Sequence, residues 1–151
     1  MPHFSKLLDI RNEKLRIEEL RNPLLEELDS LHGIAKSICD SISATGWEMR
    51  GQLVQGQVLY FPSARKRGTS LEVAWYRMGR EKKHVHVARG RSLTYAKTKF
   101  GKAPGWLLDV IMEAEMKSFG PIRERARLIV KLLSDLDRLE SLQREDLVRE
   151  L

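Results

Sequence analysis

The chain has 151 residues, enough for one domain with its own core and too few for two of ordinary size. Its residues are 42% hydrophobic and 32% charged, which fits a folded globular protein and excludes a wholly disordered chain. No apolar run approaches the roughly 20 residues that span a bilayer, and the first residues lack the apolar core of a signal peptide. We therefore expect a cytoplasmic protein without a membrane partner. A single cysteine, Cys39, excludes a disulfide framework and is expected to be a buried thiol.

The positive charge is confined to the middle of the chain. Residues 49–103 carry thirteen Lys and Arg against two acidic side chains, whereas 1–48 and 104–151 are both slightly acidic. So many like charges repel one another and favour an anionic partner, of which a phosphate backbone is the commonest. A solubilising face is the alternative, but such faces normally mix both signs. We therefore predict a nucleic-acid-binding surface over 49–103.

The first segment, 1–46, has the apolar spacing of an amphipathic helix. Apolar residues at a seven-residue spacing, with others four residues further on, form a stripe that suits packing against another helix. The members of this stripe are Ile10, Ile17, Leu24, Leu28, Leu31, Ala35, Ile38 and Ile42. Asn22-Pro23 predicts either a kink in one long helix or a boundary between two. Gly46 predicts the end of the helical segment.

The pattern then changes to that of β-strands. Residues 53–61 are rich in β-branched and aromatic side chains, which predicts a first strand that Pro62 closes. A basic turn is expected over 63–68. Residues 71–76 alternate apolar and polar side chains, which predicts a half-buried second strand.

A second hairpin follows the second strand. We predict a turn over 78–81 and a third strand over 83–89, with Val85 and Val87 on one face. Two successive hairpins give a three-stranded antiparallel meander, whose apolar face needs a cover of helices.

The helical period returns at Pro104. Apolar stripes predict C-terminal helices over 104–145, with a new helix or a kink at Gly120-Pro121. The expected fold is a single α+β domain over 1–151, in which a small three-stranded antiparallel sheet is flanked by N-terminal and C-terminal amphipathic helices.

Cations at the turns and strand ends are the candidate nucleic-acid-binding residues. Such groups neutralise phosphates and position a protein, a strand pair fits the major groove of B-DNA, and interleaved aromatic side chains suit stacking on unpaired bases. The sequence leaves open whether the partner is single- or double-stranded and whether it is DNA or RNA. The candidates are Arg65, Lys66, Arg67, Arg77, Arg80, Lys82, Lys83, Arg89, Arg91, Lys97 and Lys99. The interleaved tyrosines are Tyr60, Tyr76 and Tyr95, and packing explains them better than stacking. A second basic cluster of Arg123, Arg125, Arg127 and Lys131 either extends this path or forms an ordinary solvated face.

A minority interpretation is catalytic. His84 and His86 alternate along one strand, as in a two-histidine metal site, and Tyr95 could serve as the nucleophile of a nuclease that nicks single-stranded DNA. The flanking cations indicate an exposed strand, so we expect both histidines to lie on the solvent side. No catalytic residue, metal or cofactor is predicted. A basic module that binds an acidic protein is a further alternative.

Three elements together resemble the MobI family of conjugative-transfer proteins, which integrative and conjugative elements and mobilisable plasmids carry. These are the basic strand pair over 65–75, the Tyr-x-Lys-x-Lys-Phe element over 95–100, and the Trp-led helix over 106–126 that ends in Pro-Ile-Arg-x-Arg-Ala. The resemblance implies an auxiliary factor that recognises an origin of transfer and assists the relaxase that starts conjugation, without cutting DNA. It carries over no catalytic residue. DNA and a relaxase are thus the expected partners, and the helical stripes allow a homodimer as well as intramolecular packing.

Overall fold

The computed structural model describes the backbone of residues 2–79 and 83–150, and side chains over 16–79, 83–146 and 148–149. It has the predicted α+β architecture, with one antiparallel sheet in the order β1-β2-β3 over the described residues. The elements are α1 (Pro2–Glu48), β1 (Tyr60–Arg67), β2 (Ser70–Met78), β3 (His84–Val87), α2 (Gly105–Ala114) and α3 (Gly120–Glu150). Short 3₁₀ turns occupy Arg50–Gln52 and Lys97–Phe100, and a π-helical turn, Glu115–Phe119, joins α2 to α3. In the part of the chain that is described, no helix is long and apolar enough to cross a membrane.

Helix α1 is one continuous helix that contains Pro23. The apolar stripe predicted from the sequence is its buried face: Leu28, Leu31 and Ala35 are almost fully buried, and Cys39 beside them is buried as expected. The predicted end at Gly46 is wrong, since the helix continues to Glu48. Gly46 is buried inside the helix, and a Cβ there would make only an ordinary contact, 3.7 Å from the ring of Phe61.

Helices α1 and α3 pack side by side in opposite directions. Arg21, in the first half of α1, pairs with Asp137 and Glu140 in the second half of α3. Further along α1, Leu31 lines the same small cavity as Ile122 at the start of α3. From Ile17 to Ile42 the apolar stripe of α1 therefore packs within one chain. The side chain of Ile10 lies outside the described residues, and the homodimer stays a prediction.

The first strand lies later in the sequence than predicted. Strand β1 is Tyr60–Arg67, so the expected turn over 63–68 is mostly strand, and most of 53–61 lies outside the sheet. The chain turns instead after Arg67, at Gly68, whose φ of +58° suits glycine. Pro62 lies inside β1 opposite Trp75 and does not close it. Because β1 is an edge strand, a residue without an N–H can be accommodated there.

The second hairpin is close to the prediction. Strand β2 contains the predicted 71–76, whereas β3 is shorter than the expected 83–89. The predicted turn over 78–81 falls partly outside the described residues. Its base is closed by a 2.6 Å hydrogen bond from Gly79 N to the carbonyl of Lys83. A Cβ at position 79 would lie 2.8 Å from that same oxygen, so the close approach requires glycine.

The C-terminal helical segment is longer and less interrupted than predicted. Helix α2 passes through the π-helical turn directly into α3, which begins at Gly120 and extends to Glu150, beyond the predicted limit of 145. The turn brings the backbone close to its surroundings at Gly120. A Cβ there would lie 2.7 Å from Thr94 Cγ2 and 2.8 Å from the carbonyl of Glu115.

A buried ion pair connects these helices to the sheet. Glu115 is 0% exposed and Arg123 is 5% exposed. The guanidinium of Arg123 donates two parallel hydrogen bonds to the carboxylate of Glu115, with N···O distances of 2.7 and 2.9 Å. This bidentate geometry suits a buried ion pair. Glu115 also accepts the indole N–H of Trp75 at 3.0 Å and the backbone N–H of Tyr95 at 2.7 Å. One carboxylate thus links α3, β2 and the loop after β3.

Arg123 also satisfies two backbone carbonyls. It donates to Val73 O at 2.9 and 3.1 Å and to Leu93 O at 2.7 Å. These contacts use the whole guanidinium, so Arg123 neither extends a phosphate-binding path nor lies on a solvated face, the two alternatives that the sequence left open. Arg125, Arg127 and Lys131, the other members of that cluster, are exposed.

Candidate nucleic-acid interface

The two faces of the sheet differ in what covers them. Residues opposite each other in a strand pair share a face, and neighbours along a strand alternate. Val73 and Trp75 therefore point inward, where the helices bury them. The side chains on the other face, here called the outer face, are Phe61, Ser63, Arg65, Arg67, Ser70, Glu72, Ala74, Tyr76, Met78, His84 and His86.

Aromatic rings and a cation lie next to one another on the outer face. Phe61 and His84 are stacked, with ring centroids 5.9 Å apart and planes at 26°. Tyr76 meets His86 edge to face at 5.4 Å. The guanidinium of Arg65 lies 5.8 Å from the Tyr76 ring, within the range of a cation–π contact. Both histidines are exposed, and the rings form a surface on which planar groups can stack.

A cleft opens where the end of α1 meets the outer face. Its volume is about 570 Å³, and its walls combine aromatic rings with apolar side chains. We call it the aromatic cleft; its lining residues are Ser43, Ala44, Trp47, Phe61, Pro62, Ser63, Tyr76, Met78 and His84. Trp47 is 50% exposed, and the guanidinium of Arg50 lies 4.5 Å from its ring. A flat aromatic ligand and an adjoining anion would both find partners here.

The sequence missed this cleft. Trp47 and Arg50 stand at the boundary between the predicted helix and the predicted sheet, and neither belongs to a periodic pattern. The available signal was an aromatic residue immediately after Gly46 with an arginine three positions later. Its position over the sheet depends on the helix continuing past Gly46, which the prediction did not allow.

The three consecutive cations of β1 do not share one surface. Arg65 and Arg67 are exposed on the outer face, with Glu72 opposite Arg65. Lys66 lies on the other face and forms an ion pair with Asp29 of α1. The alternation of a strand causes this separation, whereas the predicted turn would have left all three side chains together.

The other predicted cations occupy separate places around the sheet. Arg77 is half-buried and lines a small cavity together with Lys99 beside β3. Lys83, Arg91 and Lys97 are exposed, and Arg89 is half-buried. Arg80 and Lys82 lie outside the described residues. The basic segment therefore surrounds the sheet on several sides, and Arg65 and Arg67 adjoin the aromatic rings.

Tyr95 is not placed as a nucleophile. Its side chain is 2% exposed, and its hydroxyl donates to Val87 O at 2.8 Å while accepting from Trp75 N at 3.2 Å. Burial raises the pKa of the Tyr95 phenol above its ordinary value. Tyr60 is buried as well, packed edge to face against Phe100. Only Tyr76, of the three tyrosines, lies on the outer face.

His84 and His86 both stand on the outer face. Within the described ranges, no group of three or more His, Cys, Asp or Glu side chains is arranged to hold a metal ion. The imidazoles pack on Phe61 and Tyr76 instead. In this arrangement the histidines contribute planar, exposed rings to the interface.

The comparison with protein families agrees with the resemblance found in the sequence. The family model described as MobI protein matches residues 31–137, more than two thirds of the chain. The chain belongs to the MobI family. Membership associates it with mobilisation. No curated protein and no solved structure gives a significant match.

The elements that carry the MobI resemblance contribute mainly to the scaffold. Trp75, Tyr95 and Arg123 come from the three matching elements, and all three meet at the carboxylate of Glu115. This framework also fixes the position of the outer face. Trp75 and Tyr76 are neighbours in β2 and point to opposite sides, so the strand that Trp75 anchors on the inside carries Tyr76 on the outside.

Proposed function

We propose that this MobI-family protein is a non-enzymatic, DNA-binding accessory factor of conjugative transfer, which engages an unpaired DNA strand on the outer face. The observation that carries the proposal is the juxtaposition of the aromatic cleft with Arg65 and Arg67 on one open sheet face. Bases stack on aromatic rings, and arginines beside the rings neutralise the backbone phosphates. Duplex DNA presents its bases edge-on, so a face built of rings suits a strand whose bases are free.

Family membership supports a proposal for the site of action. A mobilisation-related protein with such a face is expected to act at the origin of transfer, where the strands separate before transfer. There it would assist the relaxase, which performs the cleavage. Support for the relaxase as partner comes from the family resemblance, and support for DNA comes from the charge and rings of the outer face.

Fluorescence anisotropy with labelled oligonucleotides tests the binding proposal. Single-stranded, duplex and RNA probes are titrated at two salt concentrations, with a probe from the element's own origin of transfer beside a scrambled one. We expect the single strand to bind more tightly than the duplex. Replacing Arg65 and Arg67 together by Gln should weaken binding and lower the log–log salt slope by about 0.7 for each lost phosphate contact.

The chain provides a matched control in the same strand. Lys66→Gln removes one positive charge between the two arginines, but on the opposite face and from an ion pair with Asp29. It should change affinity little. Equal losses from the Lys66 variant and the arginine variants would refute the outer face as the binding site. Affinity that is indifferent to nucleic-acid competitor would favour an acidic protein partner instead.

Stacking is tested separately from charge. Trp47→Ala and Tyr76→Ala should each weaken single-strand binding by about 1–3 kcal/mol, the usual value of one base–aromatic contact. The salt slope should remain as in the wild type, because neither substitution removes a cation. Unchanged affinity in both variants would show that the rings do not bind bases.

A further inference from the structure

A second cavity lies at the far end of the sheet from the aromatic cleft. It has a volume of about 280 Å³ and is enclosed by the β1–β2 turn, the loop after β3 and the first half of α3. Its polar lining consists of Thr69, Ser70, Arg89, Arg123 and Arg127. No carboxylate lines it among the residues described. We call it the arginine pocket.

One arginine of this pocket has an unused donor. The Nε of Arg89 is buried and has no hydrogen-bond partner within the described part of the chain. Buried donors are nearly always paired, so an unpaired one needs an explanation such as a bound anion or an ordered water. Arg123 differs, because Glu115 and two carbonyls use its donors. Arg89 and Arg127 therefore supply the uncompensated charge.

The chemistry of the lining favours a phosphate group. Arginine offers a planar fork of donors that matches phosphate oxygens, and hydroxyls such as those of Thr69 and Ser70 are common phosphate partners. Apolar side chains, among them Leu71 and Leu93, complete the walls and lower the local dielectric, which strengthens charged hydrogen bonds. We propose that the arginine pocket binds a phosphate group through Arg89 and Arg127.

Two sources could supply that phosphate. Ser70, in the lining, pairs across the strands with Arg67 of the outer face, so the pocket and the outer face meet at the β1–β2 turn. A DNA strand on the outer face could place a backbone phosphate there. A free phosphate, or a small phosphate ester, has the same chemistry and would bind without DNA.

The Arg89 side chain itself gives the readout. In ¹⁵N-labelled full-length protein, the Nε–Hε resonance of Arg89 is followed during titration with inorganic phosphate, with chloride at equal ionic strength as the comparison. A saturable shift with phosphate alone identifies a free-phosphate site. A shift with a short oligonucleotide but not with phosphate identifies a DNA phosphate. Absence of both shifts overturns the proposal and leaves a water molecule as the partner of Nε.

Three variants make the result specific. Arg127→Gln removes an exposed arginine of the pocket. It should lower the apparent affinity obtained from the Arg89 titration at least tenfold. Arg89→Lys keeps the charge but removes the fork, and should weaken binding measured by calorimetry. Arg125→Gln, which removes a charge from the same helix outside the pocket, should have no effect. An equal loss in the Arg125 variant would overturn the proposal, because general charge would then explain binding. With inorganic phosphate as the probe, the outer-face double variant should keep the Arg89 shift, so failure here is distinct from failure of the proposed function. A shift with oligonucleotide alone rests on the proposed function and should be lost in that variant.

Discussion

Removal of Arg123 is expected to destabilise the fold strongly although the residue lies in a charged helical segment. The guanidinium makes five hydrogen bonds, two of them to the fully buried carboxylate of Glu115. Arg123→Met keeps much of the side-chain volume but leaves that carboxylate as a buried charge without its cation. Breaking a buried pair in this way costs about 3–5 kcal/mol. The carbonyls of Val73 and Leu93 lose their donors as well, so the upper part of that range is expected.

This cost is a large share of the stability of a single domain, which is typically about 5–15 kcal/mol. For a chain of this length about 4 kcal/mol lowers the melting temperature by roughly 8–16 °C. Urea unfolding followed by circular dichroism at several temperatures gives the free energy of unfolding. Arg125→Met, two residues away and exposed, is the matched control and should change stability by no more than about 0.5 kcal/mol.

A double-mutant cycle isolates the pair from the other contacts. Glu115→Leu alone leaves Arg123 buried without its anion, and the double variant of Arg123→Met and Glu115→Leu removes both charges together. The free energy of unfolding lost by the double variant should be smaller than the sum of the two single losses, by up to about 3 kcal/mol. If Arg123→Met is within about 1 kcal/mol of the Arg125→Met control, the ion pair does not hold the helices to the sheet and the reasoning fails.

Other predictions concern packing, reactivity and acid stability. Gly120→Ala should lower the free energy of unfolding by about 1–3 kcal/mol, because the new Cβ overpacks its surroundings. Gly33→Ala has nothing within 4 Å of the new Cβ and should stabilise helix α1 by up to about 1 kcal/mol. Urea unfolding measures both changes. Burial raises the pKa of the Cys39 thiol to about 12, so alkylation by iodoacetamide at pH 8 should be slow in the folded protein and fast in urea. Hydrogen bonds from Arg21 and Arg144 lower the pKa of Glu140 below its ordinary 4.5. The stabilisation is present above that value and is lost as the pH falls through the lower folded value, so Arg21→Met should reduce the loss in a pH series of melting temperatures.

Elements with a strong local period were predictable. The stripe of α1 repeats over five turns and more, and its members Leu28, Leu31 and Ala35 are buried as the spacing requires. Strand β2 alternates clearly and is found where expected. The prediction placed strand β1 too early in the sequence. The β-forming residues before Pro62 gave a stronger strand signal than the turn signal of Gly68. Hairpin register is set by the turn, so one misplaced turn changed the predicted surroundings of every cation in that strand.

The ion pair was not predictable from charge patterns alone. Leu107, Ile111 and Glu115 lie four residues apart, so Glu115 continues an apolar stripe of the helix. A surface carboxylate would be unusual at that position. That spacing was the available signal. Its partner stands eight residues further on, across the π-helical turn, and that turn changes the helical phase from which a regular helical wheel would place the two side chains. Only the packed structure shows that the acid and the base meet.

Under the proposed function, the division between scaffold and outer face bears on how such a protein would change the DNA that it prefers. Trp75, Tyr95 and Arg123 are tied to one carboxylate, so substitutions among them act first on stability. Trp47 and Tyr76 make no hydrogen bond through their rings to that network and stand partly in solvent. Under the proposed function, substitutions on the outer face would alter which bases stack there while the fold persists. The family match covers both the framework and the outer face, so the division between them rests on burial and hydrogen bonds: the framework residues hold the fold, and the exposed rings and arginines are the side chains through which we propose that the protein distinguishes one DNA from another.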